Sequence, residues 1–178
     1  MNGETAPAVL FSETEIRARV AVIAAKIARL DDRPDLAIPI LVGAFVFAAD
    51  LLRDLERNGL SLPVEFLRLR SYGDGRTATA EMAVLLVPGE SVAGRHVLLI
   101  DGVLDHGHTL QKARELVFSA GARAATTVVV VDKMRSSALL QADFAAFTHV
   151  AEFIVGYGMD DAGRFRSLPY IGLCNACT

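Results

Sequence analysis

The stretch Asp101-Gly102-Val103-Leu104-Asp105-His106-Gly107-His108-Thr109 concentrates residue types that do chemistry: two carboxylates, two imidazoles and a hydroxyl, with glycines between them. It follows the apolar run His96 to Ile100 and precedes a helical pattern from Thr109 to Ala120. A buried strand therefore empties its carboxylates into a loop that turns through Gly107 and enters a helix capped by Thr109. The backbone amides of His106 to Leu110 would then point outward at a helix N-terminus, where free N–H groups and the helix dipole favour an anion. A phosphate fits. Carboxylates beside such a cradle repel it unless they serve another purpose, such as holding sugar hydroxyls, coordinating Mg²⁺ or moving a proton. Each residue alone has a plain structural reading, Thr109 as a cap and Gly107 as a turn. Their coincidence at the end of one strand points to a sugar phosphate.

Two common nucleotide motifs do not account for this. No Gly-x-x-x-x-Gly-Lys-Ser/Thr occurs, and the loose dinucleotide match Gly73-Asp74-Gly75-Arg76-Thr77-Ala78 is followed by a strand pattern rather than a helix.

The elements that must position these groups follow from periodicity. Ser12 and Glu15 form a capping box, and Ile16, Val20, Ile23, Ile27 and Leu30 continue at helical spacing. Asp31-Asp32-Arg33-Pro34 ends that helix, and Ala37 to Leu41 is a short buried strand leading into Val42-Gly43-Ala44. A second helix carries Phe45, Ala48, Leu52 and Leu55 along one stripe and stops at Asn58-Gly59. Pro63 to Leu69 and Ala83 to Val87 have strand character, and Ser71-Tyr72-Gly73-Asp74-Gly75 between them is expected to be a mobile loop. Gly121 caps the third helix, and Thr126 to Val131 follows as a strand. Continuous apolar strands alternating with helices argue for an α/β fold with a mostly parallel sheet covered on both faces.

Composition narrows the class further. At about 150 residues per domain, 178 residues make one domain, and 52% hydrophobic against 22% charged residues exclude a disordered chain. Mean hydropathy is +0.38. The net charge of −3 has the wrong sign for a surface that attracts nucleic acid throughout. The longest apolar run, Leu36 to Ala49, contains Pro39 and Gly43 and falls short of the ~20 residues of a membrane span. The N-terminus has neither a basic start nor an apolar core for export, so a cytoplasmic location is expected. Cys174 and Cys177 have no second pair to build a zinc site and are expected to be free thiols.

The loop VLLIDGVLDHGHTL resembles the phosphoribosyl pyrophosphate (PRPP) motif of type I phosphoribosyltransferases, and the whole chain is similar to the bacterial hypoxanthine-guanine enzymes of that family. The helix FSETEIRARV, the segments PILVGAFVFAADLLRDL and VEFLRLRSYGDG, the strand end VVVVDKMR and the run EFIVGYGMDDAGRFRSLPYIG follow in the family's order. The resemblance implies a single phosphoribosyltransferase domain, its twisted sheet flanked by helices, with a small hood of N- and C-terminal segments. It implies transfer of phosphoribosyl from PRPP to a 6-oxopurine, releasing pyrophosphate and a nucleoside monophosphate, with Mg²⁺ as cofactor and a homodimer or homotetramer as the assembly.

Carried over by position, the resemblance places Asp101 at the ribose hydroxyls and Mg²⁺, and Asp105 near purine N7 as general acid or base. His106, Gly107, His108 and Thr109 would hold the 5′-phosphate. Val42 and Gly43 would meet pyrophosphate, often through a non-proline cis peptide, and Ser71 and Tyr72 would lie on the loop that closes over the transition state. Lys133 would donate to the purine 6-oxo group, Phe153 would stack on the base and the Ile154 backbone would meet its 2-position. Asp160 would be the second Mg²⁺ carboxylate, and Arg166 would bind pyrophosphate. His96 and His149 match no functional position and are assigned to structure.

Two departures stand out. The family usually has paired acids where this chain has Asp101-Gly102, and threonine where it has His106. They favour a competing reading, a non-catalytic PRPP or nucleotide sensor. Lys133, Phe153, Asp160 and Arg166 favour an enzyme, since a PRPP sensor needs no purine pocket. A transferase for another base, such as xanthine, keeps the chemistry and changes the pocket.

Overall fold

A computed structural model describes residues 6–71, 82–86 and 90–174. Nine strands and three helices follow in the order β1 (Ala8–Phe11), α1 (Glu13–Ile27), β2 (Leu36–Leu41), α2 (Phe45–Arg57), β3 (Leu67–Ser71), β4 (Met82–Leu86), β5 (His96–Leu104), α3 (His108–Ser119), β6 (Ala124–Asp132), β7 (Phe144–Thr148), β8 (Ile154–Val155) and β9 (Ile171–Leu173) among the described residues. The main sheet has six strands in the order β4-β3-β2-β5-β6-β7, and β1, β9 and β8 form a second sheet of three. All neighbours in the main sheet are parallel except β3 and β4. Both pairings in the small sheet are antiparallel.

The unbroken apolar strands are explained by what covers them. Leu98 and Ile100 of β5 pack with α1 and α2 through Ile16, Val20, Phe47 and Leu51, while Val97 and Leu99 pack with α3 through Leu110, Ala113 and Val117. Successive side chains of a strand point to opposite faces, so a strand buried on both sides has no polar positions. From β2 the chain crosses to β3 on one side, and from β5 to β6 on the other. Their carboxyl ends diverge at this switch in strand order, which is where open α/β sheets bind ligands.

The α1 capping box forms as expected: Ser12 N–H donates to Glu15 at 2.8 Å, and Glu15 N–H donates to Ser12 Oγ at 3.3 Å. Three expectations need correction. The buried stripe of α2 runs through Phe47, Ala48, Leu51 and Leu55, while Phe45 is 43% exposed. The helix starts directly at Phe45, so this ring falls outside the face that α1 and the sheet enclose. The strand expected from Pro63 begins only at Leu67; upstream, Val64 makes one isolated bridge to Ala37, and both Val64 and Phe66 are exposed. β5 does not stop at Ile100, because its ladder with β6 continues through Asp101 opposite Val129 to Leu104 opposite Asp132. Asp101 therefore sits on a strand, and only Asp105 begins the loop.

Candidate functional site

A cleft of about 470 Å³ opens at the carboxyl ends of β2, β5 and β6. Gly43, Asp101, Asp105, Thr109, Lys133, Phe153, Ile154, Asp160 and Arg166 line it, so nine residues singled out from the sequence converge there. Val42 is not in the lining but precedes Gly43 in sequence, and the Leu41–Val42 peptide is cis. His106, Gly107 and His108 form the loop behind Thr109. Ser71 ends β3, and Tyr72 with the rest of its loop lies outside the described residues.

The loop between β5 and α3 differs from expectation at its cap. Gly107, not Thr109, is the N-cap of α3, with φ of 86°, and makes no side-chain cap. The left-handed backbone belongs to glycine, and it starts the helix at His108. Gln111 N–H closes the first turn on Gly107 O at 2.8 Å. The amides of His108, Thr109 and Leu110 precede that bond and have no partner within the helix, the arrangement that suits an anion at a helix start. The two imidazoles stack loosely, 6.4 Å between centroids, and His106 Nδ1 lies 3.2 Å from Asp105 Oδ1.

Gly102, noted as a missing acid, has a packing role. A Cβ there would stand 3.3 Å from Gly43 O, and one at Gly158 would stand 2.4 Å from the same oxygen. The Gly43 carbonyl thus sits in a slot between two glycines, and that slot positions the loop after β2 against β5.

The two carboxylates have opposite electrostatics. Burial pushes the Asp101 carboxyl up to about 7, against the opposing 2.7 Å hydrogen bond donated by Gly102 N–H. Burial also raises Asp105, but the Arg135 hydrogen bond and the Lys133 charge outweigh it and hold this carboxyl below its ordinary value. Lys133 Nζ is 3.2 Å from Asp105 Oδ2 and donates to Glu152 O at 2.9 Å. Its side chain is only 7% exposed, so it is no free strand-end cation. Phe153 is 46% exposed and faces the cleft rather than the core. Arg166 reaches Asp160 Oδ1 at 2.7 Å and Gly158 O at 2.8 Å, and Asp160 Oδ2 accepts Gly163 N–H at 2.6 Å.

Asp101 supplies a pH test with a definite sign. Its folded-state value lies above its ordinary 3.8, so the stability of the protonated carboxyl is fully present below about 3.8 and is lost as pH rises through about 7. At 1.36 kcal/mol per unit the full loss is about 4 kcal/mol. Asp101→Asn is therefore expected to stabilise the fold by up to about that amount at pH 8 and by less than half of it at pH 5. Urea unfolding at the two pH values checks this; an equal change at both contradicts it.

Sequence reasoning missed Arg135 and Asp132. Asp132 is buried, and its carboxylate accepts Met134 N–H at 2.8 Å. Met134 then takes a left-handed φ of 51°, which turns Arg135 back onto Asp105. The signal available was the run Asp132-Lys133-Met134-Arg135, of which only the lysine matched a familiar role. His96, assigned to structure, is buried with Nε2 2.8 Å from Thr126 Oγ1, far from the cleft.

A larger groove of about 670 Å³ lies between α1, α2 and residues 166–169. Its Arg17, Arg53 and Arg57 are each paired with an acid one turn away on their own helix, Glu13, Asp50 and Asp54. Its lining includes no residue of the loop between β5 and α3.

A cleft at the strand-order switch, a glycine-capped helix start with free amides and two carboxylates on the preceding strand and loop define a phosphoribosyltransferase architecture. The phosphoribosyl transferase domain family matches residues 10–162, and the chain belongs to that family. It is 34% identical over 168 residues to the hypoxanthine phosphoribosyltransferase of Escherichia coli strain K12, covering 92% of this chain and 93% of that one. It is 36% identical over 167 residues to the hypoxanthine-guanine phosphoribosyltransferase of Bacillus subtilis, covering 93% and 91% respectively. The solved hypoxanthine phosphoribosyltransferase of Trypanosoma cruzi, a K68R mutant complexed with the product IMP, superposes with a TM-score of 0.86 at 30% identity, over 99% of this chain and 94% of that one. Among the described residues no helix is long and apolar enough to cross a membrane.

Proposed function

We propose that the chain transfers the 5-phosphoribosyl group of PRPP to a 6-oxopurine, hypoxanthine or guanine, in purine salvage. The observation that carries this reading is the buried Lys133 ammonium in a cleft beside Asp105, with the exposed Phe153 ring next to it. A sensor of PRPP alone has no use for that pocket.

The 5′-phosphate binds the amides of His108 to Leu110 with the Thr109 hydroxyl, and His106 and Gly107 shape the turn. Asp101 takes the ribose hydroxyls. Phe153 stacks on the purine, Lys133 donates to its 6-oxo oxygen and the Ile154 backbone meets its 2-position. The C1′–N9 bond forms as the C1′–O bond to pyrophosphate breaks, and Asp105 accepts the N7 proton. Positive charge accumulates on the sugar, and Arg166 with the Val42-Gly43 backbone stabilises the departing pyrophosphate.

No cluster of three or more His, Cys, Asp or Glu that could cage a metal occurs among the described residues. Mg²⁺ needs no such cluster, since it keeps several waters and takes one or two carboxylates together with substrate phosphates. Asp101 and Asp160, both on the cleft wall, are the residues that would hold it. Held there with PRPP, Mg²⁺ would supply charge neutralisation to the pyrophosphate. Self-association as a homodimer or homotetramer is part of the same reading, supported by the exposed Val42 before α2 and Phe45 at its start.

The test is to mix the protein with PRPP, Mg²⁺ and, separately, hypoxanthine, guanine, xanthine and adenine, and to measure nucleotide and pyrophosphate. Turnover is expected with hypoxanthine or guanine and at least about 100-fold less with adenine. PRPP binding without turnover on any base would select the sensor.

A further inference from the structure

Arg135 is not among the described residues that line the cleft, yet it grips the carboxylate that does. Its Nε donates to Asp105 Oδ1 and its Nη2 to Oδ2, the latter at 3.4 Å. Lys133 approaches the same Oδ2 from inside the cleft at 3.2 Å, and His106 Nδ1 approaches Oδ1 at 3.2 Å. The carboxylate is thus held from two sides. Arginine's planar fork suits a two-point grip, which fixes the plane of a carboxylate as a single ammonium cannot. Nothing in this contact is left to side-chain chance: the buried Asp132 carboxylate holds Met134 N–H, and the left-handed Met134 directs the next residue onto Asp105.

We infer that Arg135 is a positioning residue for proton transfer: from outside the cleft it fixes the plane of Asp105, so that one oxygen stays aimed at the purine beside Lys133. This rests on the reading of Asp105 as the N7 proton acceptor. The other charged or titratable groups facing Asp105 are Lys133, just past the end of β6, and His106 from its own loop, with Asp101, Asp160 and Arg166 on the same cleft wall. None of them reproduces the outer two-point contact.

The experiment measures kcat, KM for PRPP and the pH profile of kcat/KM for Arg135→Ala, Arg135→Lys, Asp105→Asn and the Asp105→Asn, Arg135→Ala double variant, with thermal unfolding alongside. Arg135→Ala is expected to lower kcat about tenfold with KM for PRPP within twofold, and to move the acidic limb of the profile upward by about one pH unit. Arg135→Lys restores the limb and only part of kcat, because it returns charge without the fork. On the Asp105→Asn background, Arg135→Ala has no further effect on kcat. An unmoved acidic limb, even with a lowered melting temperature, overturns the inference and leaves Arg135 as a surface ion pair. So does an Arg135→Ala effect of full size in the double variant. Full activity of Asp105→Asn instead removes the reading beneath it. If Arg135→Ala does not fold, the profile and kcat of Arg135→Lys decide, and a kcat equal to the parent's overturns the role of the fork.

Discussion

Asp105→Asn is expected to lower kcat for hypoxanthine by 10²- to 10⁴-fold while KM for PRPP changes little, the range over which a positioned general base contributes. Asparagine keeps the size of the side chain and an oxygen that Arg135 and Lys133 can reach, so the loop retains its shape. It loses the capacity to take a proton. The distances support that role: it lines the cleft, and Lys133, proposed to recognise the base, is 3.2 Å away. The neighbouring cations hold it below the ordinary carboxylate range, so it stands ready as an acceptor at neutral pH. Single-turnover kinetics separates the chemical step from binding; an unchanged rate of nucleotide formation contradicts the assignment.

Lys133→Met has the second large effect. Methionine fills nearly the same length in a site where the side chain is 7% exposed, so packing survives. What disappears is the ammonium that donates to Glu152 O and sits beside Asp105. A charge-assisted hydrogen bond of about 3 kcal/mol corresponds to roughly a 10²-fold loss in kcat/KM for hypoxanthine. Adenine, which presents an amino group at the same position, loses far less, so the preference for the 6-oxo base collapses. Competition between the two bases measures the ratio directly, and a preserved ratio removes Lys133 from base recognition.

The cleft was legible in the sequence where chemistry and chain order coincide. Asp101 to Thr109 could be found because carboxylates, glycine and hydroxyl lie in one run between a strand and a helix. Lys133, Phe153, Asp160 and Arg166 are scattered over the C-terminal half, and only the family resemblance grouped them. The cap of α3 was misplaced because a hydroxyl is the usual capping signal, whereas here the left-handed backbone of Gly107 decides where the helix begins. Gly102 looked like a lost acid, since the sequence does not show that the Gly43 carbonyl packs beside it. Arg135 could not be read at all: its contact depends on the φ of Met134 and on a buried carboxylate at Asp132, both products of the folded loop. The α2 stripe shifted for a related reason, because the phase of a helix is set by where it starts and what encloses it.

The most direct measurement is a crystal structure of the protein with a 6-oxopurine nucleoside 5′-monophosphate. The account predicts the phosphate within about 3 Å of the amides of His108, Thr109 and Leu110, with the purine against Phe153 and its oxo group at Lys133. A nucleotide lodged instead among Arg17, Arg53 and Arg57, or a His106 ring folded across those amides so that no phosphate reaches them, would contradict it.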